Sequence, residues 1–197
     1  MDIDRLKSIQ EKMAGQVITK DRIGKISYVA GFDVAYNKKY TCVGVVCKYR
    51  TMAIKEISVS KGKTIPYIPG YLAFREGPLI LKAYKKLKKK PDVILVDGNG
   101  ILHPRKFGLA CWVGIKTKKP TIGVAKSLLC GDIHKNFVYI NGEKRGYLLK
   151  NKRLYISPGH LISLKTAVKI VKNCIKNRLP EPIKIAHAYA KDISCKD

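Results

Sequence analysis

Apolar residues recur along this chain at two spacings, and each change of spacing marks a change of element. Ile3, Leu6, Ile9 and Met13 fall at helical intervals after the capping candidates Asp2 and Asp4, so an N-terminal amphipathic helix is predicted with that stripe covered. Three β-rich runs follow, Ile26 to Tyr36, Thr41 to Tyr49 and Met52 to Ser60. Their short connections, Asn37-Lys38-Lys39 and Arg50-Thr51, predict antiparallel hairpins. In Ile65-Pro66-Tyr67-Ile68-Pro69-Gly70 each proline fixes its own backbone and biases its predecessor away from helix, so a stiff extended turn is expected.

The pattern then returns to helical spacing from Leu72 to Lys89, with Leu79, Ile80, Ala83, Tyr84 and Leu87 on one side. Arg75-Glu76-Gly77 lies near its beginning, and Pro78 should occupy the first turn or mark a kink. The lysines from 85 to 90 read as a solvated helix end. Val93 to Val96, bounded by Pro91 and Gly98, is a continuous apolar run, as a strand covered on both faces requires. It stops at Asp97. Phe107 to Lys116 predicts a helix and Pro120 to Ala125 a second buried strand ending at Lys126-Ser127. Phe137 to Tyr155 suggests a hairpin or a pair of short strands around Asn141-Gly142 and Gly146. Ser163 should cap a helix, and a last one should run from Glu181 or Pro182 to about Ser194, presenting His187. Three strands, a helix, a central strand, then alternating helix and strand is the order of a ribonuclease-H-like α/β fold, a central mixed β-sheet flanked by helices. One domain over residues 1–197 is expected.

Charge narrows the class of partner. Lys and Arg number 40 against 14 acids, a formal charge of +26, which points to a polyanion. No apolar run approaches the roughly 20 residues of a membrane span, so nucleic acid is favoured over a membrane, and a cytoplasmic monomer is expected. The six cysteines show neither Cys-x-x-Cys nor zinc-ligand spacing and are expected to be reduced core residues.

In so basic a chain the few acids at apolar positions carry information. Asp33 interrupts an otherwise apolar strand, and a buried carboxylate needs a partner, Lys or Arg being the simplest. Asp97 lies at a strand's carboxyl end, where open α/β sheets form ligand crevices, although Asp97-Gly98 also suits a plain turn. The fold order would bring Asp33, Glu76 and Asp97 into one cleft. Three converging carboxylates form a hard, all-oxygen cation site suited to Mg²⁺-assisted hydrolysis of a phosphodiester, with Lys126 neutralising charge on phosphorus oxygens.

Six motifs in order, Ala30-Gly-Phe-Asp33, Pro66-Tyr-Ile-Pro-Gly70, Phe74-Arg-Glu-Gly-Pro78, Val96-Asp-Gly-Asn-Gly100, His103-Pro-Arg-Lys106 and Gly123-Val-Ala-Lys-Ser127, resemble endonuclease V. The resemblance resumes at Ser157-Pro-Gly-His160 and from Leu179 to Tyr189. It implies Mg²⁺- or Mn²⁺-dependent hydrolysis of the second phosphodiester bond 3′ to hypoxanthine in DNA containing deoxyinosine or another deaminated base. By that resemblance Asp33, Glu76 and Asp97 are the catalytic metal-binding acids, supported by Lys126 and His103. His187 is either a further metal contact or a helix-packing histidine. Tyr67, stiffened by Pro66, Ile68 and Pro69, matches a wedge that separates the strands at the lesion. Gly70, Leu72, Gly98 and Gly123 match a pocket of backbone donors and acceptors that would hold the flipped base. Two alternatives stand beside this reading: preference for inosine in RNA, and a non-catalytic basic nucleic-acid-binding protein.

Overall fold

The computed structural model describes residues 2–37 and 39–195. Lys38, in the expected first hairpin connection, lies outside the described residues. Helix α1 (Ile3–Ala14) precedes three antiparallel strands, β1 (Tyr28–Tyr36), β2 (Tyr40–Lys48) and β3 (Ile54–Gly62). Then come α2 (Leu72–Lys86), β4 (Val93–Asp97), α3 (Leu109–Thr117) and β5 (Thr121–Ala125). Strands β6 (Asp132–His134), β7 (Phe137–Ile140), β8 (Glu143–Leu149) and β9 (Leu154–His160) lead to α4 (Leu164–Cys174) and α5 (Glu181–Cys195). The strands form one mixed sheet in the order β3-β2-β1-β4-β5-β9-β8-β7-β6, with β1, β4 and β5 parallel.

That order follows from burial. β4 and β5 are apolar at almost every position because both faces are covered. One face packs Ala30, Phe32, Ile94 and Val96 against α2 and α3, with Met13, Ala14 and Val17 at the margin. The other packs Val29, Val45, Leu95, Ile122 and Ile156 against α4 and α5. Asp2 caps α1 by accepting from the Arg5 amide, and Ser163 caps α4 by accepting from Thr166, both as the sequence predicts.

Several expectations are corrected. Ile3 is exposed, and the one buried residue of α1 is the polar Gln10. α2 ends at Lys86, after which the Lys88 and Lys89 amides donate to the Glu56 carboxylate. Pro78 sits in the helix interior and Glu76 in the second turn, beyond the reach of the helix N-terminus. The hairpin expected around Asn141-Gly142 is present, with β7 paired antiparallel to β8, but Gly146 lies inside β8 and the hairpin belongs to a four-stranded wing. β6 is short and exposed throughout, so no alternation marked it. β9 contains Pro158-Gly159, which reads as a breaker, yet the register against β5 shifts at Thr121/Ile122, where a proline is tolerated. Cys42, Cys47, Cys111 and Cys174 are buried free thiols as expected, whereas Cys130 is half-buried and Cys195 exposed.

Candidate active site

Asp33 enters the site from the apolar strand β1 and is 8% exposed. α5 can approach because β1 carries Gly31 there: a Cβ on Gly31 would lie 2.3 Å from the Pro182 backbone. That close docking turns His187 towards the strand, and its Nδ1–H donates to Asp33 Oδ2 at 2.8 Å. The partner of the buried acid is thus histidine, where Lys or Arg was the simplest expectation. The His187 side chain is half-exposed and spans from α5 to Asp33, so it is not enclosed as a helix-packing residue would be.

Asp97 ends β4, and the parallel register that pairs it with Val124 places Lys126 just past the neighbouring strand. Lys126 Nζ meets Asp97 Oδ2 at 2.5 Å. Glu76 projects from α2. Burial, then the nearby charge of Asp33, raise its pKa to about 8, while Arg75 opposes the shift and Asp97 adds to it. Burial also raises Asp97, against the pull of Lys126, with Asp33 adding to the rise and His187 countering it. The three acids therefore feel one another's charge, as convergence in one cleft requires.

Among the described residues, no three His, Cys, Asp or Glu side chains stand close enough together to hold a metal ion as they are arranged. The donor chemistry nonetheless suits a hard cation: three carboxylates, two of them raised by burial and by a neighbouring acid, supply only oxygen.

Beside Asp97 opens a cavity of about 370 Å³, lined by Tyr67, Gly70, Leu72, Gly98, His103 and Lys126 among others. Leu109 and the segment from Ala125 to Leu129 complete it. Ser127 was visible as the polar residue ending a strand, but Leu128 and Leu129 offered no signal. Gly123 does not line the cavity; it packs beneath the backbone of Gly98 to Gly100 and lets that loop lie close. Pro66, Ile68 and Pro69 also stand outside the lining. They frame it: the Tyr71 amide donates to the Ile68 carbonyl at 3.0 Å, and Gly70 has φ +81°, the geometry of a type II turn with Pro69 and Gly70 at its centre.

His103 is 2% exposed. Its Nδ1 accepts from the Arg105 amide at 3.1 Å, which leaves Nε2–H to donate to the Gly70 carbonyl at 2.9 Å. Burial first, then Arg105 and Arg145, push its pKa down to about 4 against the opposing Gly70 bond. The ring is neutral and fully engaged, so it supports the cavity wall. Arg145, on β8, donates to the His103 carbonyl at 3.0 Å, which makes the C-terminal wing a brace for the cavity loop.

Arg75 has a part that the sequence hid inside a motif. Its guanidinium lies 5.0 Å from the Tyr40 ring centroid and 5.3 Å from that of Tyr67. Its Nη2 donates to the Tyr40 hydroxyl, and its buried Nε has no partner. Tyr67 itself is 60% exposed on the rim.

The family model for endonuclease V matches residues 11–188, which span the acids, the turn and the cavity loop. The chain belongs to the endonuclease V family. Endonuclease V of Dictyoglomus thermophilum is 39% identical over 199 residues, 93% of this chain and 87% of that protein. The Thermofilum pendens endonuclease V is 41% identical over 202 residues, 95% and 87% of the two chains. The crystal structure of Ciona intestinalis endonuclease V, in complex with a 24mer DNA containing an inosine followed by a ribo-adenosine, has 33% identity and a TM-score of 0.89 over 98% of each chain. Human endonuclease V gives 29% and 0.89, with 99% of each chain covered. The endonuclease V structures share the ribonuclease-H-like fold, so the sheet order found here is that of a nuclease family.

Proposed function

We propose that this protein is a cation-dependent endonuclease acting on strands that contain deaminated purines, hypoxanthine foremost. The observation that carries the reading is the juxtaposition of the acids Asp33, Glu76 and Asp97, of which Asp33 raises the proton affinity of the other two, with a cavity that has Asp97 and Lys126 as wall residues. Its rim carries the exposed Tyr67. The Ciona endonuclease V, bound to DNA containing inosine, supports the same substrate class.

Asp33, Glu76 and Asp97 would hold Mg²⁺ or Mn²⁺, with His187 Nε2 free to join through water or directly. When bound, such a cation polarises the phosphate and lowers the pKa of the attacking water. Lys126, beside Asp97, would face the charge that builds on the phosphate oxygens. Tyr67 replaces the stacking lost when the base leaves the helix, held from behind by Arg75. A flipped hypoxanthine would enter the cavity, where unpaired polar atoms would disfavour adenine and a clash would disfavour guanine. The Gly70 carbonyl is already taken by protein donors, so Gly70 contributes shape and not an acceptor. Cutting is expected at the second phosphodiester 3′ to the lesion, leaving 3′-hydroxyl and 5′-phosphate ends.

A second reading, preference for inosine in RNA, is favoured by the ribo-adenosine that follows the inosine in the Ciona complex. The test offers purified protein and Mg²⁺ or Mn²⁺ a deoxyinosine duplex, its undamaged twin and inosine-containing single-stranded RNA. Metal-dependent scission at one site past inosine supports the reading, and the DNA-to-RNA rate ratio assigns the sugar. Binding of every strand with no cut under either metal would leave a nucleic-acid-binding protein.

A further inference from the structure

Helix α1 buries a single residue, and that residue is the polar Gln10, at 0% exposure. A buried amide persists where its hydrogen bonds are met, and those of Gln10 converge on the wedge turn. Its Nε2 donates to the Gly70 carbonyl at 3.0 Å and to the Phe107 carbonyl at 3.1 Å, while its Oε1 accepts from Arg105 Nε at 2.6 Å. The Gly70 carbonyl also receives His103 Nε2 at 2.9 Å and Arg105 Nη2 at 3.1 Å. Three donors from α1 and the cavity loop thus meet one oxygen. The amide of the same peptide unit, on Tyr71, is tied to Ile68, and the Arg105 guanidinium lies 4.5 Å from the Tyr71 ring centroid. Both ends of that peptide are held, so the turn bearing Tyr67 keeps one orientation relative to the cavity.

We propose that Gln10 is a positioning residue for lesion recognition, which acts with His103 and Arg105 to clamp the Gly70 peptide and so holds Tyr67 at the rim. The inference rests on the functional reading above. A preorganised turn avoids ordering cost when the strand is opened, whereas a loose one misplaces the lesion relative to the acids.

Gln10→Ala removes both donors and the acceptor; Gln10→Glu keeps an acceptor for Arg105 and loses both donors. Hydrogen exchange at the Tyr71 amide is expected to speed up at least about tenfold in Gln10→Ala. The kcat/KM for an inosine-containing strand should fall by about 10- to 100-fold, with unchanged salt-sensitive binding to an undamaged duplex. A double-mutant cycle separates positioning from general destabilisation. In a Tyr67→Ala background, Gln10→Ala should cost less than about twofold, because the wedge it positions is gone. Equal losses in both backgrounds, or wild-type exchange at Tyr71, would overturn the proposal. If Gln10→Ala does not fold, Gln10→Glu carries the same cycle and exchange measurement with the same deciding outcomes. A wild-type protein that cuts no inosine-containing strand defeats the functional reading, and exchange at Tyr71 then supports or overturns the clamp by itself.

Discussion

The two ends of the cleft are built on opposite electrostatic terms. At one end, Asp33, Glu76 and Asp97 share a partly buried space in which Glu76 rises to about 8 with Arg75 opposing the shift, Asp97 is ion-paired with Lys126, and Asp33 is bonded to a half-exposed histidine. At the other, the Gly70 carbonyl has more donors than lone pairs, and His103 has a backbone partner on each ring nitrogen. The difference separates chemistry from recognition. On the function proposed above, the acid end would retain unmet charge until a cation and a phosphate arrive, whereas the end that would discriminate bases is finished beforehand.

That contrast makes mutations at the two ends behave differently. Asp97→Asn or Asp33→Asn should lower single-turnover cleavage by about 1,000-fold or more, the scale of removing a member of a concerted catalytic set, while thermal unfolding stays level or rises. An active Asp97→Asn, or one that fails to fold, breaks the comparison. His103→Ala should do the reverse in stability: it strands the Arg105 amide and deletes a donor to Gly70, costing about 1–3 kcal/mol in denaturant titrations. An unchanged midpoint would show that the turn does not depend on the ring.

The acid end should also show in the pH dependence of stability without added metal. Between 4.5 and about 8 the folded protein keeps a proton on Glu76 that the unfolded chain has released. Stability contributed by that proton is therefore present at low pH and lost as pH rises through about 8. Glu76→Gln should flatten that slope, and Mg²⁺ should restore the wild type most at the alkaline end. His103 runs the other way, since its folded pKa is pushed down to about 4: its contribution is present above the ordinary histidine range and lost on acidification. The smallest effect belongs to the rim. Tyr67→Ala should change stability by no more than about 0.5 kcal/mol because the ring is largely exposed, yet weaken discrimination of inosine from undamaged strands, measured as a ratio of cleavage rates.

Much of this was legible along the chain. Asp97 could be placed because a buried parallel strand reads as an unbroken apolar run and its end is marked by an acid and glycine. Ser163 and Asp2 could be placed because a cap bonds backbone a few residues away. Glu76 was assigned to the right helix but the wrong turn, since Pro78 looked like a first-turn residue. Strand β9 was hidden behind Pro158-Gly159, and Gln10 behind its own polarity on a helix whose apolar stripe suggested another buried face.

The sequence by itself determined the alternation of helix and strand, the basic surface and the presence of lone acids at apolar positions, because these depend on local period and composition. Tertiary structure decided the pairings: His187 with Asp33 across 154 positions, Gln10 with Phe107 across 97, Lys126 with Asp97 across 29. Such contacts depend on how closely whole elements dock, as α5 does over Gly31, and docking distance is a property of two packed surfaces that neither segment encodes alone.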